Sequence, residues 1–142
     1  MGPMAVAVRS LPRPVRWYGA AVVANYAAQV PYTLDLYGGA VSVRGAALLG
    51  ATLLWFLAAI GLLAAGRRVG WWLLVAYAVA QALFYLHNEV VLAFAGYGLP
   101  YNLAHARDAV VWLAFVAGFV NSVAAVAFLA YAAREWRLVR RS

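Results

Sequence analysis

The chain has 142 residues and a formal charge of +7, with 68% hydrophobic and 11% charged residues, against roughly 45–50% and 25% in ordinary soluble domains. A water-soluble globular domain does not fit that balance, and the positive charge, which on a soluble chain would suggest nucleic acid, sits instead at the ends of apolar segments. The absence of cysteine excludes disulfides, thiolate nucleophiles, iron–sulfur ligation and Cys-based zinc sites.

Residues 1–16 carry Arg9, Arg13 and Arg16 together with Pro3, Pro12 and Pro14. Proline fixes φ and lacks an N–H, so this stretch is expected to be an extended basic tail. Four apolar segments follow, at about 17–37, 45–65, 70–95 and 107–133, making residues 17–133 one domain. Each is long enough to cross a hydrocarbon core of ~30 Å, which takes about 20 residues as a helix. The first exceeds the roughly 7–15 apolar residues of a secretory signal and opens with Trp17 and Tyr18, so it is expected to be retained. It is also the most polar, with Asn25, Gln29, Pro31, Thr33 and Asp35. Pro31 cannot bond back to Ala27, which predicts a kink.

The second segment is apolar all round, as a lipid-facing helix would be. A tight turn, Gly66-Arg67-Arg68-Val69-Gly70, leads into the third, which becomes polar at His87, Asn88 and Glu89. A loop, GYGLPYNLAHARD, with turn signals at Gly96, Gly98 and Pro100, precedes the fourth. Residues 134–142 form a second basic tail.

The arginines fix an orientation. Nine of the eleven lie before the first segment, between the second and third, or after the fourth, and only Arg44 and Arg107 lie on the other side. Arg-rich short loops stay cytoplasmic, so both termini are expected in the cytoplasm. Trp17, Trp71, Trp72 and Trp136 sit on that same side, where indoles form an interfacial belt. Every basic residue is Arg, amid abundant Ala, Gly and Val, a usage that accompanies GC-rich bacterial genomes. The expected setting is a bacterial inner membrane.

Two groups of residues invite a chemical reading. At 1.5 Å per residue, Gln29 lies ~18 Å from Trp17, Gln81 ~16 Å from Gly70 and Asn121 ~18 Å from Ala133. They should therefore share one depth near the bilayer centre, with Asn25 one turn from Gln29. Amides in hydrocarbon need partners and should bond to one another inside the bundle. They would serve as interhelical glue or, in a transporter or channel, line a path. Small-residue ridges at Ala20, Ala24 and Ala28, and at Ala114, Gly118 and Ser122, suggest that the first and fourth helices pack together with the third.

The second group is an outer cluster of Asp35, Arg44, His87, Glu89, His105, Arg107 and Asp108. Charge pairing and capping account for it, with Asp108 favoured by the dipole at the start of the fourth helix. A metal held by His87, Glu89 and His105 would need side chains two apart on a helix to converge, which they do not. Haem would need paired axial ligands at one depth, and His105 falls in the loop. No metal and no cofactor are expected. No Ser–His–Asp arrangement, phosphate loop, paired membrane carboxylates or HExxH motif occurs.

The expected fold is therefore all-α, a four-helix antiparallel membrane bundle. The expected function is a non-catalytic module, either a subunit of a larger assembly or a parallel homo-oligomer. Its partners would be the bilayer, with anionic headgroups at the cytoplasmic face, and another membrane protein, but no nucleic acid. A small transporter or channel using the amides, and an enzyme or cofactor binder using the outer cluster, are the rivals.

Overall fold

The computed structural model describes residues 11–36, 43–85, 87, 94–96, 99–106 and 108–139. Among these the chain is all-helical, without strands. There are four long helices, α1 (Arg13–Leu36), α2 (Val43–Ala64), α3 (Arg68–Tyr85) and α5 (Ala109–Val139), with a short α4 (Leu99–Ala104) between α3 and α5. α1 packs on α5, α5 on α3, and α3 on α2, while α4 lies against α5.

α1 starts inside the stretch expected to be an extended tail. Arg16 N–H donates to the Pro12 carbonyl at 3.1 Å, closing the first turn. Pro14 is tolerated there because the first N–H groups of a helix have no intrahelical partner, and its φ is already helical. Residues 1–10 of that tail lie outside the described residues. The helix then runs unbroken past Pro31 to Leu36.

The α2–α3 turn is built by glycine at both ends. Gly66 adopts φ 72°; its N–H donates to Leu63 O at 3.0 Å, and Arg67 N–H donates to Leu62 O at 2.9 Å. That is the paired closure of a Schellman cap, which needs a left-handed residue after the helix. Gly70 lets α3 fold back against α2. A Cβ there would lie 2.8 Å from Ala59 O and closer still to the Leu63 backbone nitrogen.

α5 extends six residues beyond the expected boundary at 133, so much of the second tail is helical. Ala-Arg-Glu-Trp-Arg-Leu-Val contains no glycine or proline to stop it. The loop before α5 likewise holds a turn of helix that its Gly and Pro content concealed, with Pro100 in the first turn of α4. α3 is described to Tyr85; of the expected continuation to 95, His87, Phe94 and Ala95 are described.

Apolar side chains fill the interior and also cover much of the exterior. The interior holds Tyr18, Tyr26, Tyr77, Asn25 and Asn121 beside Val15, Val22, Leu74 and Phe128. The exterior is lined with large apolar groups, among them Leu48, Leu54, Leu83, Phe84, Val120 and Val126, each at least half exposed. Gly45–Ala64 and Ala109–Glu135 are long and apolar enough to cross a membrane, and in the first only 11% of the most apolar stretch is buried within the bundle.

Aromatic contacts tie the helices together at one end. Tyr18 stacks on Phe128 with centroids 4.9 Å apart, and Trp71 meets Phe128 at 5.6 Å and Tyr131 at 6.2 Å. The start of α1, the α2–α3 turn and the end of α5 therefore share one end, where Arg13, Arg16, Arg67, Arg68 and Arg134 are exposed. The α1 face that makes this core is Val15, Tyr18, Val22, Asn25 and Gln29. The alanine ridge expected to do so has Ala20 and Ala24 exposed and only Ala28 buried. On α5, by contrast, Ala114 and Gly118 are buried.

Candidate functional site

Two amide pairs form in the half of the bundle away from the arginines. On α1, Gln29 Nε2 donates to Asn25 Oδ1 at 3.4 Å and to the α5 carbonyl of Ala114 at 3.2 Å. Between α5 and α3, Asn121 Nδ2 donates to Gln81 Oε1 at 3.4 Å. Tyr85, one turn beyond Gln81 on α3, donates its hydroxyl to Asn25 Oδ1 at 3.4 Å. All four amides are thus brought into one polar seam joining α1, α3 and α5. Asn25 and Asn121 are buried, and Gln29 and Gln81 half-buried.

Gly118 makes room for this seam. A Cβ there would sit 2.9 Å from Tyr85 Cε1, so the aromatic ring occupies the space a side chain would need. Below the amides, Tyr26 and Tyr77 share a hydrogen bond at 3.1 Å between α1 and α3. Trp55 of α2 donates its indole N–H to Leu73 O at 3.1 Å and meets the Tyr77 ring edge-on.

The seam opens into a cleft of about 400 Å³ between α1, α2 and α3. Its polar wall is Asn25, Gln29 and Gln81 with the phenols of Tyr26, Tyr32 and Tyr85; Leu48, Leu49, Ala80 and Phe84 supply the apolar wall. It runs along α2 from Gly45 to Thr52, ~10 Å of helix. None of the described lining residues carries a charge. A smaller apolar recess on the other side of the α1–α2 gap shares Tyr26, Thr33 and Leu49 with it.

The outer cluster is only partly visible. Glu89 and Arg107 lie outside the described residues, as do the side chains of Asp35, in the last turn of α1, and Arg44, in the first turn of α2. The acid–arginine pairing expected across that rim rests on these groups. Asp108 caps α5, its Oδ1 accepting the N–H of Val110 at 3.0 Å and of Val111 at 3.1 Å, the geometry an N-cap requires. His105 is exposed, stacks on Tyr101 at 4.1 Å and places Nδ1 2.9 Å from the Tyr101 carbonyl. His87 is exposed. Among the described residues no three His, Asp or Glu side chains gather as metal ligands would.

The tyrosines are what reading the sequence missed. Tyr77, Gln81 and Tyr85 recur at four-residue spacing, and Tyr18 and Tyr26 lie two turns apart, so each set shares a helix face. That periodicity was the available signal. No protein-family model matches this chain, and no curated protein or solved structure is significantly similar to it.

Proposed function

We propose that this chain is a small multi-pass membrane protein that works as a non-catalytic module, within a larger assembly or as a parallel homo-oligomer. The observation that carries the reading is the apolar exterior. Leucine, valine and phenylalanine side chains such as Leu54, Leu83, Phe84, Val120 and Val126 lie on the outside, around an interior that includes Tyr18, Tyr26, Tyr77, Asn25 and Asn121. Monomeric soluble proteins rarely expose contiguous apolar patches beyond a few hundred Å², and hydrocarbon is the solvent that makes such a surface favourable.

The arrangement of arginines supports an orientation with both termini cytoplasmic. Five described arginines are exposed at the end that holds the α2–α3 turn, and basic short loops are retained on the cytoplasmic side. The same nine-to-two imbalance favours parallel rather than antiparallel association. α2 offers a largely uncovered face for a partner helix, since it packs mainly on α3.

The amide seam supports an architectural role. Its members bond to one another and to a backbone carbonyl, as polar groups between membrane helices do at about 0.6 kcal/mol each. Among the described residues the adjoining cleft is lined by amides, phenols and apolar groups, which bond and pack rather than exchange protons near neutral pH.

Reporter fusions test this reading. A fusion after Ser142 should report the cytoplasm and one within Gly98–Leu103 the opposite compartment, with the chain remaining in the membrane fraction through alkaline extraction. An outward C-terminus or release by alkali contradicts it.

A further inference from the structure

We infer that the cleft between α1, α2 and α3 binds an uncharged, lipid-soluble carbonyl compound. The inference rests on the membrane reading for the ligand's route of entry. Its structural basis is the hydrogen bonding that the seam leaves unfinished. Asn25 is only 5% exposed, and its Oδ1 accepts from both Gln29 and Tyr85. Among the described residues no partner is found for its Nδ2. The same holds for Gln81 Nε2, whose Oε1 accepts from Asn121, and for Gln29 Oε1, whose Nε2 makes both of that side chain's bonds. Two amide donors and one acceptor therefore line the cleft without protein partners.

Asn25 Nδ2 and Gln81 Nε2 are open to the cleft and are not among the fully buried atoms without a partner, so a ligand acceptor brought here bonds to them without displacing a protein partner, each net hydrogen bond contributing about 0.5–1.5 kcal/mol. The most abundant lipid-soluble acceptor is a carbonyl. Among the described residues the wall carries no charge, so an ionised ligand bonded to Asn25 and Gln81 would enter low dielectric without a counter-charge from them, which is strongly unfavourable. Leu48, Leu49, Ala80 and Phe84 offer apolar contact to the rest of the molecule. The volume of about 400 Å³ falls within the ~300–1,000 Å³ usual for small-molecule sites. The compound arrives through the bilayer, either as the ester region of a lipid or as a free ketone or quinone.

Titration of the purified full-length protein in detergent tests this with three probes: a decyl-substituted benzoquinone, dioleoylglycerol, and decylbenzene as the control without a carbonyl. The expected result is saturable one-to-one binding of at least one carbonyl probe, tighter than decylbenzene. Gln81→Met and Asn25→Leu should each weaken it roughly two- to tenfold, the worth of one net hydrogen bond. Ala80→Trp, which removes no hydrogen bond and fills the cleft, should abolish binding, and carries the test if Asn25→Leu does not fold. Binding of the quinone alone assigns a free compound; binding of dioleoylglycerol assigns bilayer lipid. The proposal is overturned if neither carbonyl probe saturates, if decylbenzene binds as tightly, or if Ala80→Trp binds as wild type does. Alkaline extraction separates the two readings: a chain retained in the membrane that binds no probe loses the site alone, and a released chain loses the membrane reading and the ligand's route with it.

Discussion

Two glycines show how closely this bundle is fitted, and they differ in what a methyl group would meet. At Gly70 the obstacle is backbone, the Ala59 carbonyl and the Leu63 nitrogen, which cannot move without separating α2 from α3. At Gly118 it is the Tyr85 ring, which can rotate away only by giving up its bond to Asn25. Overpacking typically is unfavourable by 1–3 kcal/mol. Gly70→Ala should therefore reach or exceed the upper end, and Gly118→Ala should lie lower. Thermal unfolding in detergent reads both, and equal stability of Gly70→Ala and wild type would contradict the described crossing. The amides were legible as a group from their depth along three helices, because 1.5 Å per residue converts spacing into position. Which amide bonds to which was not, because that depends on helix rotation, and the tyrosines that complete the seam carry no distinctive spacing of their own beyond the helical period.

At the scale of single helices, the apolar runs predicted the existence and order of the long elements, while their ends depended on chemistry that hydrophobicity does not report. The expected ends of α2 lie within two residues of the observed ones because Gly66 stops it at one end and its apolar run begins just after Arg44 at the other. α5 overran its expected end because Glu135, Trp136 and Arg137 are polar or interfacial yet good enough helix formers. α1 began early because a proline at a helix start is permissive rather than disruptive. The start of α5 rests on Asp108, whose carboxylate takes two otherwise unpaired N–H groups. Asp108→Ala should destabilise the protein by about 1 kcal/mol, and Asp108→Asn should recover most of it, since amide oxygens cap nearly as well. Hydrogen exchange at Val110 and Val111 is the local readout. Unchanged protection in Asp108→Ala would show that the cap is not what holds this end.

For the whole molecule, the deciding property is which surface meets which solvent. Charge bias and composition point to a bilayer, but they do not say which tyrosines face the interior, as Tyr18, Tyr26 and Tyr77 do, or which leucines face outward, as Leu54 and Leu83 do. A chain without cysteine permits a direct test. Single cysteines at Leu54, Leu83, Val120 and Val126, each bearing a spin label in reconstituted vesicles, report contact with oxygen, which concentrates in hydrocarbon, against contact with a water-soluble nickel complex. The account predicts high oxygen and low nickel contact at all four positions, and low contact with both at Asn121→Cys within the seam. Strong nickel contact at Leu54 and Val120 would mean that these faces meet water, and would contradict it.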